Sequence, residues 1–290
     1  MPNSAAASIS TAESETPIAQ SYERDGFYLP YDVMDEASAV AIRRDLEAAE
    51  AELADRPQDL GLLRAYPDRL LPSFDALIRH PRLIAGASQI LGPDLLVWSS
   101  GLFIKEANTE SFVSWHQDLT YWGLDDAEEV TAWFALSDSS IESGCMRFVP
   151  GSHKKQLVPH HDSFAKNNLL TRGQEIAVDV DDSEAVNVIL KPGQTSLHHG
   201  HLFHSSGPNR SSDRRIGAAI RYIKPSMRQR NGDRALVAHV SGEDRFNHFE
   251  VAPTPAGRLL AEDLARVRED AARKRKVLYE GVESEAGKRY

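Results

Sequence analysis

The sequence predicts a mainly β fold, a sandwich or barrel, with helices packed before and after it. Three observations carry this. Short β segments punctuated by turn residues fill the stretch from Leu95 to Ile223. Amphipathic helical stripes lie on either side of that stretch. No GxGxxG follows a strand and no P-loop is present, so a parallel nucleotide-binding sheet lacks support.

Taken in order, residues 1 to 16 are rich in Ala, Ser, Thr and Glu without periodicity and read as a disordered tail. The remainder, 17–290, reads as a single domain. Gly26-Phe27-Tyr28-Leu29 is a short strand closed by Pro30. Between Asp35 and Arg56 the positions Ala39, Ile42, Leu46, Ala49 and Leu53 make one helical stripe. A second helix is expected from Phe74 to Leu91, ended by Gly92-Pro93.

The β core then occupies about 95–240, with strands at Leu95–Lys105, Phe112–Asp118, Val130–Leu136, Val186–Leu190, Thr195–His199 and Arg215–Ile223. Gly144, Pro150-Gly151, Pro192-Gly193 and Gly207-Pro208-Asn209 separate them. Near the end, Thr254-Pro255 has the form of an N-cap with proline at the first helical position. Leu260, Leu264, Val267, Ala271 and Leu278 stripe the helix that follows. Its run Arg273-Lys274-Arg275-Lys276 reads as a solvated end favoured by the helix dipole.

Composition narrows the function classes. The chain has 290 residues, enough to bury roughly 75% of its unfolded surface. With 33 basic and 43 acidic residues its net charge is −10, which argues against nucleic acid as a partner. One cysteine, Cys145, excludes an intrachain disulfide and fits a reducing compartment. The first residues lack the basic flank and apolar core of a signal peptide, and no run approaches 18 apolar residues. The expectation is a cytoplasmic protein with no membrane partner.

Histidine is unevenly spread, with seven of eleven between residues 153 and 204 and His116 just upstream. Single histidines are usually structural, so a constellation is the better test. The facial triad of two His and one carboxylate needs a His and an acid close together plus a distant His. In a strand, residues i and i+2 share a face, so His-x-Asp delivers two ligands together. Three pairs fit: His116/Asp118, His160/Asp162 and His248/Glu250. The first follows the strand-like Phe112-Val113-Ser114-Trp115; the second lies in a polar stretch that reads as a solvated loop. The second histidine comes from His198, His199, His201 and His204.

Downstream, Arg215, Gly217, Ala219 and Arg221 share one strand face, and Ile216, Ala218, Ile220 and Tyr222 the other. Arg beside Gly and Ala on a buried face leaves room for a ligand. A buried arginine wants a carboxylate in a forked pair, from a ligand or from an internal acid.

In combination these residues carry a resemblance. Ser114-Trp115-His116-Gln117-Asp118-Leu119, Thr131-Ala132-Trp133-Phe134-Ala135-Leu136 and Gly144-Cys145-Met146-Arg147-Phe148-Val149-Pro150-Gly151-Ser152-His153 stand in order. His204-Ser205-Ser206-Gly207-Pro208-Asn209-Arg210-Ser211 follows, with Arg215 eleven residues beyond His204. The pattern over about residues 20 to 250 resembles the phytanoyl-CoA dioxygenase family of Fe(II)- and 2-oxoglutarate-dependent oxygenases. It implies a double-stranded β-helix, the jelly-roll core also found in cupins.

The resemblance implies roles residue by residue. His116, Asp118 and His204 match the iron ligands, and Arg215 matches the arginine that grips the distal carboxylate of 2-oxoglutarate. Thr131, Ser206 and Trp133 match positions beside that cosubstrate. Lys105 either borders the pocket or is a surface lysine. Pro150-Gly151-Ser152-His153 matches a structural turn, so His153 is not a ligand. Halogenases of the family carry a small residue where Asp118 stands, so hydroxylation with O2, releasing succinate and CO2, is the implied reaction. Desaturation, epimerisation and cyclisation share the same oxidising chemistry. A cupin-like site built from His199, His201 and His204, and a non-enzymatic jelly roll, are the competing readings. The substrate is expected to be a small molecule packed near Tyr121, Trp122 and Arg221, and no basic patch marks a coenzyme A site.

Overall fold

A computed structural model of the chain describes residues 17–170 and 173–278; the expected tail at 1–16 lies outside them. Helices come first: α1 (Pro17–Asp25), α2 (Glu36–Glu52), α3 (Pro57–Ala65), α4 (Pro67–Leu70), α5 (Pro72–Ile78) and α6 (Pro81–Leu91). Strand β1 (Phe27–Asp32) separates the first two. Asp35 caps α2, its carboxylate accepting the Ser38 N–H at 2.8 Å. Its stripe is the expected one, with Ala39, Leu46, Ala49 and Leu53 buried.

Local chemistry corrects several boundaries. The helix expected over Phe74–Leu91 is two, because Pro81 has no N–H to continue the ladder and instead opens α6 at its first position. Strand β1 does not stop at Pro30. It is the edge of its sheet and its register shifts between Tyr28 and Tyr31, where a missing donor is tolerated. The last helix, α7 (Ala261–Leu278), begins after the Thr254-Pro255 pair rather than at it.

The remaining strands are β2 (Leu95–Lys105), β3 (Val113–His116), β4 (Glu129–Ala135), β5 (Met146–Phe148), β6 (His160–Asp162) and β7 (Gln174–Ile176). They continue with β8 (Val186–Val188), β9 (Gln194–His198), β10 (His204–Ser206), β11 (Arg215–Ile223), β12 (Leu236–Ser241) and β13 (Glu250–Val251). Seven form one sheet in the order β1-β9-β4-β11-β2-β12-β13. Four form a second in the order β3-β10-β5-β8, and β6 pairs with β7.

The two large sheets face each other as a sandwich and do not close into a barrel. Trp133, Ala135 and Ala219 of the first pack on Met146, Phe148 and Val188 of the second. The other face of the seven-stranded sheet lies on the helices, with Ile216, Ala218, Ile220 and Tyr222 in one cluster with Leu46, Leu70 and Phe74. The Tyr222 hydroxyl donates to the Ile78 carbonyl at 2.8 Å, which satisfies a polar atom in that layer. The alternation of β11 read from the sequence is thus realised, one face to the helices and one to the interior.

The basic run of α7 is not simply solvated. Lys274 pairs with the buried Asp270 at 3.1 Å and sits over the rings of Trp98 and Tyr66 at 4.9 and 5.3 Å. An ammonium over an aromatic face is attracted by the ring quadrupole, so this end of α7 is pinned to the sheet. No helix among the described residues is long and apolar enough to cross a membrane.

Candidate metal and cosubstrate site

Strand pairing brings the two distant histidines together. His204 on β10 stands directly opposite His116 on β3, and their rings lie 4.0 Å apart between centroids. Each ring is fixed by its Nδ1, which lies 2.9 Å from the carbonyl two residues back, Ser114 for His116 and Leu202 for His204. With the Nδ1–H donated there, each Nε2 keeps a lone pair for a cation. Burial, then the neighbouring His116, pushes the His204 imidazole down to about 4, so it is neutral at pH 7.

Asp118 reaches the same point by a different route from the one the i, i+2 argument gave. The strand ends at His116, and Asp118 opens a single 3₁₀ turn, Asp118–Thr120. Gln117 between them holds that turn. Its amide donates to the carbonyls of Gln156 at 2.6 Å and His201 at 2.8 Å and its oxygen accepts the Val158 N–H at 2.9 Å. Gln117 is a supporting residue that sequence reasoning missed; its polar side chain between two ligands on a β segment was the available clue. The Leu119 N–H donates to the Gly200 carbonyl at 3.2 Å, closing the turn.

The result is convergence. Asp118 Oδ1 lies 3.3 Å from His116 Nε2 and 3.9 Å from His204 Nε2. One donor atom from each of the three falls within 4.8 Å of the others, and no other such group exists among the described residues. Three donors so spaced can share one divalent cation at about 2.1 Å from each. Two neutral imidazoles and one carboxylate are the ligand set of a non-haem Fe(II) site with open positions. Burial alone would raise the Asp118 carboxyl. The close approach of His116, then of His204 and of the Arg221 guanidinium 4.0 Å away, holds it well below the usual carboxylate range. The triad fits the metal.

The other pairs do not join it. His160 Nε2 accepts the Gln117 N–H at 3.1 Å from β6, so that segment is a short strand rather than a solvated loop. His248 lies 3.1 Å from the Met227 carbonyl, and Glu250 pairs with Arg273. The rings of His199 and His201 lie tilted against each other, 5.0 Å between centroids; His199 lines a separate cavity of about 530 Å³ beside Tyr22 and Glu128. His153 rests against Gly26.

A cavity of about 30 Å³ adjoins the triad, lined also by Thr131, Trp133, His198, Ser206, Arg215 and Arg221. Arg215 is 1% exposed and Lys105 is fully buried. They are cross-strand neighbours on β11 and β2. Both donate to the Gly144 carbonyl at 3.2 Å, and Lys105 also donates to Ser206 Oγ at 2.7 Å. No acid among the described residues pairs with either, and Arg215 Nε has no hydrogen-bond partner. Lys105 is therefore not the surface lysine of one reading. A buried guanidinium and a buried lysine amine without an anion against either leave a cradle of donors that a carboxylate supplied from outside could satisfy.

The space beside Gly217 is not for ligand, as the Gly–Ala face suggested. A Cβ there would lie 1.8 Å from Trp133 Cζ2, so the glycine admits the indole, over which the Arg215 guanidinium sits at 5.1 Å. Thr131 faces Arg221 and His198 across β4. Trp122 stacks on Trp98 at 5.2 Å and under Arg221 at 5.0 Å. Glu129 is buried, with its carboxyl raised well above normal by burial and by Asp118, and it accepts the Gly200 N–H.

The sequence profile of the phytanoyl-CoA dioxygenase (PhyH) family matches residues 22–217. The chain belongs to this family. Its members are Fe(II)- and 2-oxoglutarate-dependent oxidoreductases, the class for which the triad and the cationic cradle are suited. A "Probable alpha-ketoglutarate-dependent hypophosphite dioxygenase" of Stutzerimonas stutzeri is 26% identical over 191 residues, 64% of this chain and 66% of that one. An ectoine dioxygenase of Streptomyces avermitilis is 26% identical over 212 residues, 66% of this chain and 72% of its own. The chain thus spans about two thirds of the length of these relatives. Among solved structures, the apo form of the non-heme monooxygenase ThoJ superposes with a TM-score of 0.82 at 31% identity, covering 91% of this PhyH-family chain and 98% of that one. The jelly-roll fold implied by the family pattern is the observed one.

Proposed function

We propose that this protein is an Fe(II)- and 2-oxoglutarate-dependent dioxygenase that hydroxylates a C–H bond of a small molecule. The observation that carries it is the triad His116, Asp118 and His204 with the acid-free pair Lys105 and Arg215 sharing one cavity. His116, Asp118 and His204 hold the metal. Arg215 and Lys105 grip the distal carboxylate, with Ser206, Thr131 and Trp133 shaping the channel between. When bound, Fe(II) and 2-oxoglutarate supply the oxidation with O2, releasing succinate and CO2.

The chain's own residues position and exclude water. The Nδ1 contacts of the histidines set their tautomer, Gln117 locks the turn that presents Asp118, and Trp133 closes the cradle. Asp118 fills the place that a halide needs, which favours hydroxylation over halogenation. The substrate enters beside Tyr121, Trp122 and Arg221. The unit responsible is the domain built on the β core, and a lone cysteine suits a cytoplasmic setting.

The test is anaerobic addition of Fe(II) and 2-oxoglutarate, which should give the weak visible charge-transfer band of a chelated keto acid. Succinate release should then be stimulated by one member of a small-metabolite panel. No band on protein that demonstrably holds iron overturns the reading.

A further inference from the structure

His198, which lines the cavity, has no part in the scheme above. His198 ends β9 on the inner face of the seven-stranded sheet, opposite Thr131 of β4, which in turn faces Arg221 of β11. Its ring lies 5.3 Å from that of His204 and 4.9 Å from that of Phe148. It is 1% exposed and lines the triad's cavity, yet its Nδ1 has no hydrogen-bond partner among the described residues. Arg221 Nε, in the same row, also has none.

A buried polar atom left unpaired costs about 1–3 kcal/mol, so a partner from outside the protein is the natural account. His198 is not a fourth metal ligand, because its nitrogens do not fall within the converging group. The cradle at Arg215 is also excluded as its target. Arg215 and Arg221 stand at opposite ends of β11, and His198 belongs to the Arg221 end, beside His204 and Asp118. A keto acid gripped at Arg215 by one carboxylate brings its other carboxylate to that end, next to the negative charge of Asp118. A neutral N–H donor there offsets the repulsion without competing for the metal.

We infer that His198 hydrogen-bonds the metal-proximal carboxylate of 2-oxoglutarate and so sets how the keto acid seats on the metal. The inference rests on the function proposed above. The experiment titrates 2-oxoglutarate into anaerobic Fe(II)-loaded protein and reads the position of the charge-transfer band and the apparent Kd, alongside metal content. His198→Phe keeps a ring in the same space and removes both nitrogens; His198→Gln restores an amide donor.

The Phe variant should keep stoichiometric iron, bind 2-oxoglutarate about tenfold more weakly and shift the band. The Gln variant should recover the band position and most of the affinity. A Phe variant with the original Kd and band overturns the inference, as does one that loses iron, or a Gln variant that behaves like Phe. If Phe does not fold, His198→Met is judged by the same criteria. Absence of a band from the unmodified protein overturns instead the function proposed above.

Discussion

Lys105 and Arg215 stand opposite each other on β2 and β11, both buried, both donating to the carbonyl of Gly144, with no acid of the described residues against either. Gly144 can offer that carbonyl because it adopts φ +70°, where a Cβ would lie 2.4 Å from the carbonyl oxygens of Gly207 and Pro208. A fold that keeps the Arg215 guanidinium in its interior beside a buried lysine, without a counter-charge, gives up stability. Binding of a dicarboxylate, as proposed, would offset that cost.

Replacing Arg215 by Leu removes one arm of that grip. Breaking a buried ionic contact costs roughly 3–5 kcal/mol, equivalent to about two to four orders of magnitude in affinity. The apparent requirement for 2-oxoglutarate should rise accordingly while iron content stays intact. Arg214→Leu is the control, since Arg214 faces the opposite way and pairs with Glu50 at 2.9 Å and Glu106 at 2.9 Å. If Arg214→Leu weakens the cosubstrate instead, the inner face has been misassigned.

Lys105 gives the binding a pH dependence of definite sign. Burial, then the charge of Arg215, pushes its ammonium down to about 6, so in the empty site it is mostly neutral at pH 7. A carboxylate beside it favours the charged form, and binding takes up a proton. Affinity for 2-oxoglutarate should therefore fall as pH rises above about 6, by at most about tenfold per unit. Calorimetry at pH 7.5 in buffers of different ionisation enthalpy should show uptake approaching one proton. In Lys105→Met that uptake should vanish.

Metal stoichiometry separates the histidines. His204→Ala should lose iron, whereas His199→Ala and His201→Ala should retain it, because their rings pack against each other outside the triad. Retention of full iron and turnover by His204→Ala, with loss in His199→Ala, would reverse the ligand assignment.

Asp118→Ala should bind iron weakly and lose hydroxylation. Chloride can enter the vacated position, but transfer also needs the substrate held nearer the halide than the hydroxyl. Halogenated product should therefore be at most a trace by mass spectrometry. Chlorination by the unmodified protein would remove the argument from Asp118.

Gly217→Ala tests the packing beneath the site. The added methyl meets Trp133, which must shift into the cavity or push the sheets apart. Overpacking of this kind costs about 1–3 kcal/mol. A lowered Tm together with weakened 2-oxoglutarate binding is the expected pair of changes. A variant unaltered in both would mean the indole moves without consequence.

Periodicity and turn chemistry by themselves determined the strand β11 to the residue, the two-face alternation of that strand, the buried stripe of α2 and the order of helices around a β core. These are local properties, set by which side chains suit a period of two or 3.6. The same local rules, together with the family resemblance, named His116, Asp118, His204 and Arg215. Tertiary structure decided the rest. Whether Lys105 lies in water or beside Arg215 depends on a strand 110 residues away in sequence, and the space at Gly217 is allotted to Trp133 by register on β4. Asp118 reaches the triad through a 3₁₀ turn held by Gln117, whose partners lie at 156, 158 and 201. The row of Arg221, Thr131 and His198 exists only because β11, β4 and β9 are adjacent. Cross-strand neighbours are fixed by long-range pairing, and no pattern of composition or spacing along one strand encodes which strand it will meet.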